Sequence, residues 1–256
     1  MPIEARNISF AYETNTPVLR KVSAVAEQGR ITAIIGPNAV GKTTLLRILA
    51  GILTPQSGEV LINDTPLSKY PRRNLARQLA YVSQRPIVDA PFSVREVVSL
   101  GSFPHHNQNN KSLTSILEKC ALTHLADTPF HQLSVGQQQR VSIARAVNQL
   151  QQGGPEKILL LDEPMSAMDP KHIERTGQLL RQTANLGSTI LIVLHDLQLA
   201  SALADDIWVL NNNTIKAAGP VASAINENIL TTVYGCNFEL IMRDKDHPDI
   251  RPKYHF

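Results

Sequence analysis

Cysteine is nearly absent from this chain, with Cys120 and Cys236 alone in 256 residues. Two distant cysteines make neither a disulfide framework nor a metal-ligand spacing, and they suit a reducing compartment such as the cytosol. Aromatic residues are also scarce, at 5%. No apolar run approaches the ~20 residues that cross a bilayer. The first residues, Met1-Pro-Ile-Glu4, carry no basic region followed by an apolar segment, so no leader is expected. The formal charge of +3 is spread without a basic block or an aromatic-interleaved stripe, which speaks against nucleic-acid binding. Apolar residues at 43% and charged residues at 18% are those of an ordinary globular chain. Any membrane role therefore requires another polypeptide to do the crossing.

What is present is more telling. The stretch Gly36-Pro37-Asn38-Ala39-Val40-Gly41-Lys42-Thr43-Thr44 follows an apolar run, Ile31 to Ile35, and leads into a helical pattern through Leu45, Leu46, Ile48 and Leu49. Strand, glycine loop and helix give the G-x-x-x-x-G-K-[ST] spacing a mechanism: backbone N–H groups wrap a phosphate chain at the positive end of the helix. Lys42 reaches the β- and γ-phosphates, and the Thr43 hydroxyl is placed to ligate Mg²⁺. A nucleoside triphosphate is the expected ligand.

Strand patterns at 3–12, 18–25, 31–35, 59–62, 79–83, 158–161, 189–194 and 206–210 alternate with helical ones. Such alternation predicts an α/β core with a mostly parallel sheet. Residues from about Pro86 to Leu150 change texture and predict a helical insertion, which Gly153-Gly154-Pro155 ends. Lys157 to Pro164 is a buried-strand pattern closing on two acids. Such a strand brings Asp162 to the carboxyl edge of the sheet, to hold Mg²⁺, and Glu163 to where it can polarise an attacking water. Ser134 and Gln137 form a capping box, so a helix starts there and offers a second phosphate-binding end with Gly136.

Taken together, these residues resemble the ATP-binding cassette (ABC) ATPases, whose Leu-Ser-x-Gly-Gln signature stands here as Leu133-Ser134-Val135-Gly136-Gln137. The resemblance spans essentially the whole chain. It implies one domain over 1–256: a phosphate-loop core from 1–85 and 156–256, an antiparallel β subdomain, and a helical signature lobe over 86–155. It also implies ATP and Mg²⁺ as ligands and assigns smaller pieces. Tyr12 stacks on adenine, Gln84 contacts Mg²⁺ or the attacking water, and His195 sits at the γ-phosphate. Asp169, in the loop Ser166-Ala-Met-Asp169, communicates across a head-to-tail homodimer. In that dimer Ser134, Gly136 and Gln137 meet the partner copy's nucleotide. Two departures from the family pattern are Ala39, where relatives carry glycine, and Val135, in place of the signature's first glycine.

Within the family, a single phosphate loop without a fused membrane segment fits the separate ATPase subunit of an importer. Its partners would be two transmembrane permease subunits and, indirectly, a periplasmic or surface substrate-binding protein, with the chain on the cytoplasmic face of the inner membrane. Residues Ala90-Pro-Phe-Ser-Val-Arg-Glu-Val-Val-Ser-Leu-Gly101 and Leu230-Thr-Thr-Val-Tyr-Gly235 resemble ATPases for haem, iron-siderophore and cobalamin uptake, although Ser102 replaces their usual arginine. The polar stretch Gln149 to Lys157 resembles an insertion of haem-import ATPases. Ferric-siderophore or cobalamin import stays open beside haem. From other classes, so do a soluble ABC ATPase acting on nucleic acid or ribosomes and a nucleotide-dependent switch. The adjacent pair His105-His106, in a polar loop, is read as solvent-facing, and neither it nor His247 and His255 as ligands of haem or metal.

Overall fold

The structure, a computed structural model, describes residues 1–13, 16–86, 88, 90–105, 110–150, 157–242 and 247–253, with backbone alone at 110 and 111. The chain opens with β1 (Ile3–Ala11), β2 (Pro17–Ala26), β3 (Ile31–Ile35) and α1 (Lys42–Leu49). Short strands β4 (Ser57–Ile62) and β5 (Thr65–Pro66) precede α2 (Arg72–Gln78) and β6 (Leu79–Val82). Three helices then follow, α3 (Val94–Ser99), α4 (Asn110–Lys119) and α5 (Val135–Leu150). Alternation resumes with β7 (Ile158–Asp162), α6 (Pro170–Asn185), β8 (Thr189–Val193) and α7 (Leu197–Leu203). The remaining elements are β9 (Asp206–Asn211), β10 (Thr214–Pro220), α8 (Val221–Ala224), α9 (Glu227–Tyr234), β11 (Asn237–Met242) and β12 (Pro248–Lys253).

The central sheet has the order β10-β9-β3-β8-β7-β6, with every pair parallel except the edge pair β9–β10. Each residue of β3, β7 and β8 is buried, as expected when helices cover both faces of a parallel sheet. That is why these strands read as unbroken apolar runs. A second, antiparallel sheet, β2-β1-β4-β5, alternates instead, with Ile3, Ala5, Ile8 and Phe10 of β1 turned inward. Those side chains share a cluster with Leu45, Leu46, Ile48 and Leu49, so α1 is clamped between the two sheets. The glycine loop ahead of α1 is fixed by that packing.

The helices α3, α4 and α5 gather around Val94, Val97, Val98, Ile116, Leu117, Val141 and Ile143, continuous with the core under β7 and β8. Both predicted strand and helix positions hold along this part of the chain to within a few residues. The short polar tail pairs as β12 with β11 and docks on α7, where Ser201 Oγ donates to the Pro248 carbonyl at 2.6 Å. Phe238 of β11 and Ile250 of β12 reach the core, and the pair takes its order from partners far away in sequence.

Candidate functional site

The loop is shaped by steric demands. Gly36 has φ 147°, and a Cβ there would lie 2.1 Å from the Leu210 carbonyl oxygen, so only glycine lets the chain turn over β9. Ala39 has φ 60°, a left-handed conformation with a strain of ~1 kcal/mol for a residue with a side chain. Gly41 occupies the N-cap of α1, where no side chain caps the helix and no acid stands in the first turn. The free N–H groups of that turn are left to bind an anion. Lys42 is buried, and its Nζ donates to the carbonyls of Gly36 at 2.8 Å and Pro37 at 2.7 Å. Burial pushes its pKa down, partly offset by the negative charges of Glu163 and Asp162.

The acids arrive on β7. Thr43 Oγ1 donates to Asp162 Oδ1 at 3.0 Å, across 119 residues of chain. The other oxygen, Oδ2, is buried and has no hydrogen-bond partner among the described residues. Burial raises the Asp162 pKa, opposed first by the Thr43 bond. A buried, unpaired carboxylate oxygen beside a hydroxyl is a hard-oxygen pair of the kind that suits a small divalent cation. The residues present fit Mg²⁺.

Glu163 follows with φ 49°, its N–H on the Val193 carbonyl. Gln84 Nε2 donates to one carboxylate oxygen at 2.7 Å, and His195 Nε2 bonds the other. Gln84 comes from the end of β6 and His195 from the end of β8, so three adjacent parallel strands deliver one constellation. Tyr12 is 59% exposed, braced by a hydrogen bond of 3.2 Å to Thr44 Oγ1 and an edge-on contact with Phe10 at 4.9 Å. Tyr12, Asn38, Lys42, Gln84, Glu163 and His195 line one cleft of about 570 Å³. Val40, within the loop, packs toward the core instead, where it touches the space a Gly36 Cβ would need.

The signature residues lie apart from this cleft. Ser134 and Gln137 close on each other as the capping box requires: Ser134 N–H donates to Gln137 Oε1 at 2.8 Å, and Gln137 N–H to Ser134 Oγ at 3.3 Å. Gly136 lies against residue 167, and a Cβ on it would come 2.3 Å from the Ala167 carbonyl oxygen. Asp169 caps α6, accepting from His172 N–H and bonding its ring at 2.9 Å. None of these four lines the cleft within this chain. Val135 is 58% exposed at the start of α5.

Two residues here carried no sequence signal. Val18 lines the cleft from β2, yet it reads as an ordinary strand residue. Gln139 is buried behind Glu163, but in the run Gln137-Gln138-Gln139 nothing distinguishes it. The expectation of a solvent-facing His105 needs correction. His105 is half-buried with Nε2 bonded to the Gln149 carbonyl at 2.8 Å, and His247 Nδ1 donates to the Ser201 carbonyl at 2.7 Å. His106, His255 and most of the Gln149 to Lys157 stretch lie outside the described residues. Among those described, no helix is long and apolar enough to cross a membrane.

Comparison with known proteins agrees with this geometry. The family described as ABC transporter matches residues 19–166. The hemin import ATP-binding protein HmuV of Escherichia coli O157:H7 is 36% identical over 96% of this chain and 96% of its own. Its namesake in Rhodopseudomonas palustris is 38% identical over 91% of this chain and 87% of its own. Among solved structures, a metal-chelate type ABC transporter in an inward-facing conformation superposes with a TM-score of 0.78 at 25% identity, covering 98% of this chain and 97% of that one. A phosphate loop, an acidic strand end and a signature helix in one α/β frame, with relatives matched almost end to end, place this chain in the ABC transporter family as one of its ATP-binding ATPases.

Proposed function

We propose that this chain is the ATPase subunit of an importer for haem, working with separate membrane subunits. The observation that carries the catalytic half is the Glu163 carboxylate, held between Gln84 and His195 at the rim of the cleft that contains Lys42 and Thr43. An acid fixed from both sides is a general base for a water directed at a γ-phosphate. Lys42 exchanges the Gly36 and Pro37 carbonyls for phosphate oxygens when ATP enters, and the N–H groups of the loop and α1 surround the same phosphates. Thr43 and Asp162 would hold Mg²⁺, which would supply positive charge against the phosphates. Tyr12 offers its exposed ring face to adenine. His195 keeps Glu163 oriented and adds positive polarity where charge develops.

Ser134, Gly136, Gln137 and Asp169 lie outside the cleft, which supports a head-to-tail homodimer in which they approach the partner copy's ATP. Closure with ATP and opening after hydrolysis would drive two permease subunits, fed by a periplasmic or surface substrate-binding protein. The chain would sit peripherally on the cytoplasmic face of the membrane as one domain, with core 1–85 and 156–256 and lobe 86–155. Haem as cargo is favoured by the hemin import for which the relatives are named. The metal-chelate type neighbour favours the second reading, in which a ferric siderophore or cobalamin is carried. Growth of the source cell lacking this chain, on haem or a ferric siderophore as sole iron, separates them. Loss of growth on haem alone is expected; retained growth on haem moves the cargo to the second reading.

A further inference from the structure

The glutamine Gln139, on the first turns of α5, is 2% exposed and makes no contact with the cleft. Its side-chain amide enters the turn that follows β7. Nε2 donates to Ser166 Oγ at 3.0 Å and to the Glu163 carbonyl at 3.4 Å, while Oε1 accepts from Ala167 N–H at 3.3 Å. Ser166 Oγ in turn donates to the Glu163 carbonyl at 3.2 Å. The amide orientation is forced, because a carbonyl acceptor and an N–H donor stand on opposite sides of it.

The turn so clamped is the one that presents Glu163. That residue has φ 49°, and a non-glycine residue holds a left-handed conformation only where its surroundings over-determine it. Gln84 and His195 fix the carboxylate end of Glu163, whereas Gln139 and Ser166 grip its backbone carbonyl. A second contact ties the same two pieces together: Gly136 lies so close to the Ala167 carbonyl that no Cβ fits between them. The start of α5 and the 163–167 turn are therefore joined at two points, one turn of helix apart.

We propose that Gln139 is a positioning residue for Glu163, through which a shift of the signature helix is passed to the orientation of the general base. This rests on the reading of Glu163 as that base. When α5 moves, the amide carries the Glu163 carbonyl and Ala167 N–H with it, and the carboxylate follows. Without the amide, the strained turn relaxes and the carboxylate leaves its line to the γ-phosphate. A displacement near 1 Å at a reacting group costs about 10²-fold in rate.

The test is steady-state ATP hydrolysis by the purified full-length chain with Mg²⁺, comparing Gln139→Leu, Gln139→Glu and Glu163→Gln with the parent. Gln139→Leu keeps the shape of the side chain, and the exposed Ser166 and Ala167 can turn to water, so folding should survive. The expected result is kcat lowered by about 10- to 100-fold with KM for ATP within about twofold. Gln139→Glu keeps the acceptor for Ala167 N–H and recovers a donor only when protonated. Its activity relative to the parent should therefore climb as pH falls toward about 6, since burial raises a carboxyl pKa; a packing role alone gives no such trend. A Gln139→Leu kcat within twofold of the parent, while Glu163→Gln is inactive, would overturn the positioning role and leave the base in place. A flat pH ratio for Gln139→Glu would overturn it equally, even if Gln139→Leu failed to fold. Sustained turnover in Glu163→Gln would instead overturn the base reading, and this inference with it.

Discussion

Replacing Asp162 by Asn should make the nucleotide-free chain more stable and the nucleotide-bound chain less so. In the free chain Asp162 is 1% exposed, and Oδ2 has no hydrogen-bond partner among the described residues. A buried polar atom left unpaired costs about 1–3 kcal/mol, with ionised groups at the upper end. Asn retains the Oδ1 acceptor for Thr43 and still leaves an unpaired amide N–H in place of Oδ2. It removes the charge, however, so a net gain of about 1–2 kcal/mol is expected, the excess cost of a charged over a neutral unpaired group. For a chain of this size that corresponds to a melting temperature higher by about 2–8 °C. With Mg²⁺ and a slowly hydrolysed ATP analogue at ~100 times Kd, the parent should gain ~2.7 kcal/mol, which the variant largely forgoes. The order of the two melting temperatures therefore inverts when ligand is added. pH supplies a further check. The Asp162 pKa lies above its ordinary value of 3.8 because of burial, so the native chain holds this proton more tightly than the unfolded one. The native state is relieved of the charge below that ordinary value and bears its full penalty above the raised one. The variant's advantage should be complete at neutral pH and fade on acidification. Differential scanning calorimetry with and without ligand measures all of this. An Asn variant less stable than the parent without ligand, or one that keeps the full Mg²⁺-dependent rise, would refute the assignment of the unpaired oxygen to the cation.

Gly36→Ala puts a Cβ 2.1 Å from the Leu210 carbonyl and should destabilise the chain by about 3 kcal/mol or more, with loss of ATP binding; unchanged affinity by calorimetric titration would show the loop to be free of that constraint. Glu163→Gln should bind ATP, stop turning it over and accumulate a dimer visible by size-exclusion chromatography, and a monomer under saturating ATP would count against the dimer. Val135→Gly is expected to leave the hydrolysis rate within about tenfold, because Val135 is largely exposed in the free chain and carries no group with a chemical role. A rise of several orders of magnitude would show that the valine obstructs the closed state.

The phosphate loop, the acidic strand and the capping box were each legible because their determinants are local. Buried parallel strands must be apolar on both faces, and so 31–35 and 158–161 announce themselves. A Ser–Gln pair three residues apart satisfies helix-end groups wherever it occurs. The strain at Ala39 was foreseeable for the same reason, since the loop's turn fixes φ whatever residue stands there. Local patterns failed where order depends on distant partners. The hairpin of β11 and β12 carries a short apolar pattern, Phe238 to Met242, but its pairing depends on α7, which gives it a surface. His105 and His247 sit in polar stretches yet find backbone carbonyls only after folding.

The sequence by itself determined that a triphosphate would be held: a glycine spacing, a lysine and a hydroxyl act within a few residues of one another. It also determined the α/β frame, through strand and helix periodicities that hold over short windows. Only the tertiary structure decided how Glu163 is held, because Gln84 and His195 stand 79 and 32 residues away along the chain and meet it only when β6, β7 and β8 lie side by side. It alone told Gln138 and Gln139 apart, where the capping pattern had marked only Gln137. Gln137 caps a helix, Gln138 reaches the Phe130 and Leu133 carbonyls, and Gln139 turns inward to the Glu163 backbone. Successive residues of a helix point about 100° apart, so identical side chains acquire different work only once the helix is packed.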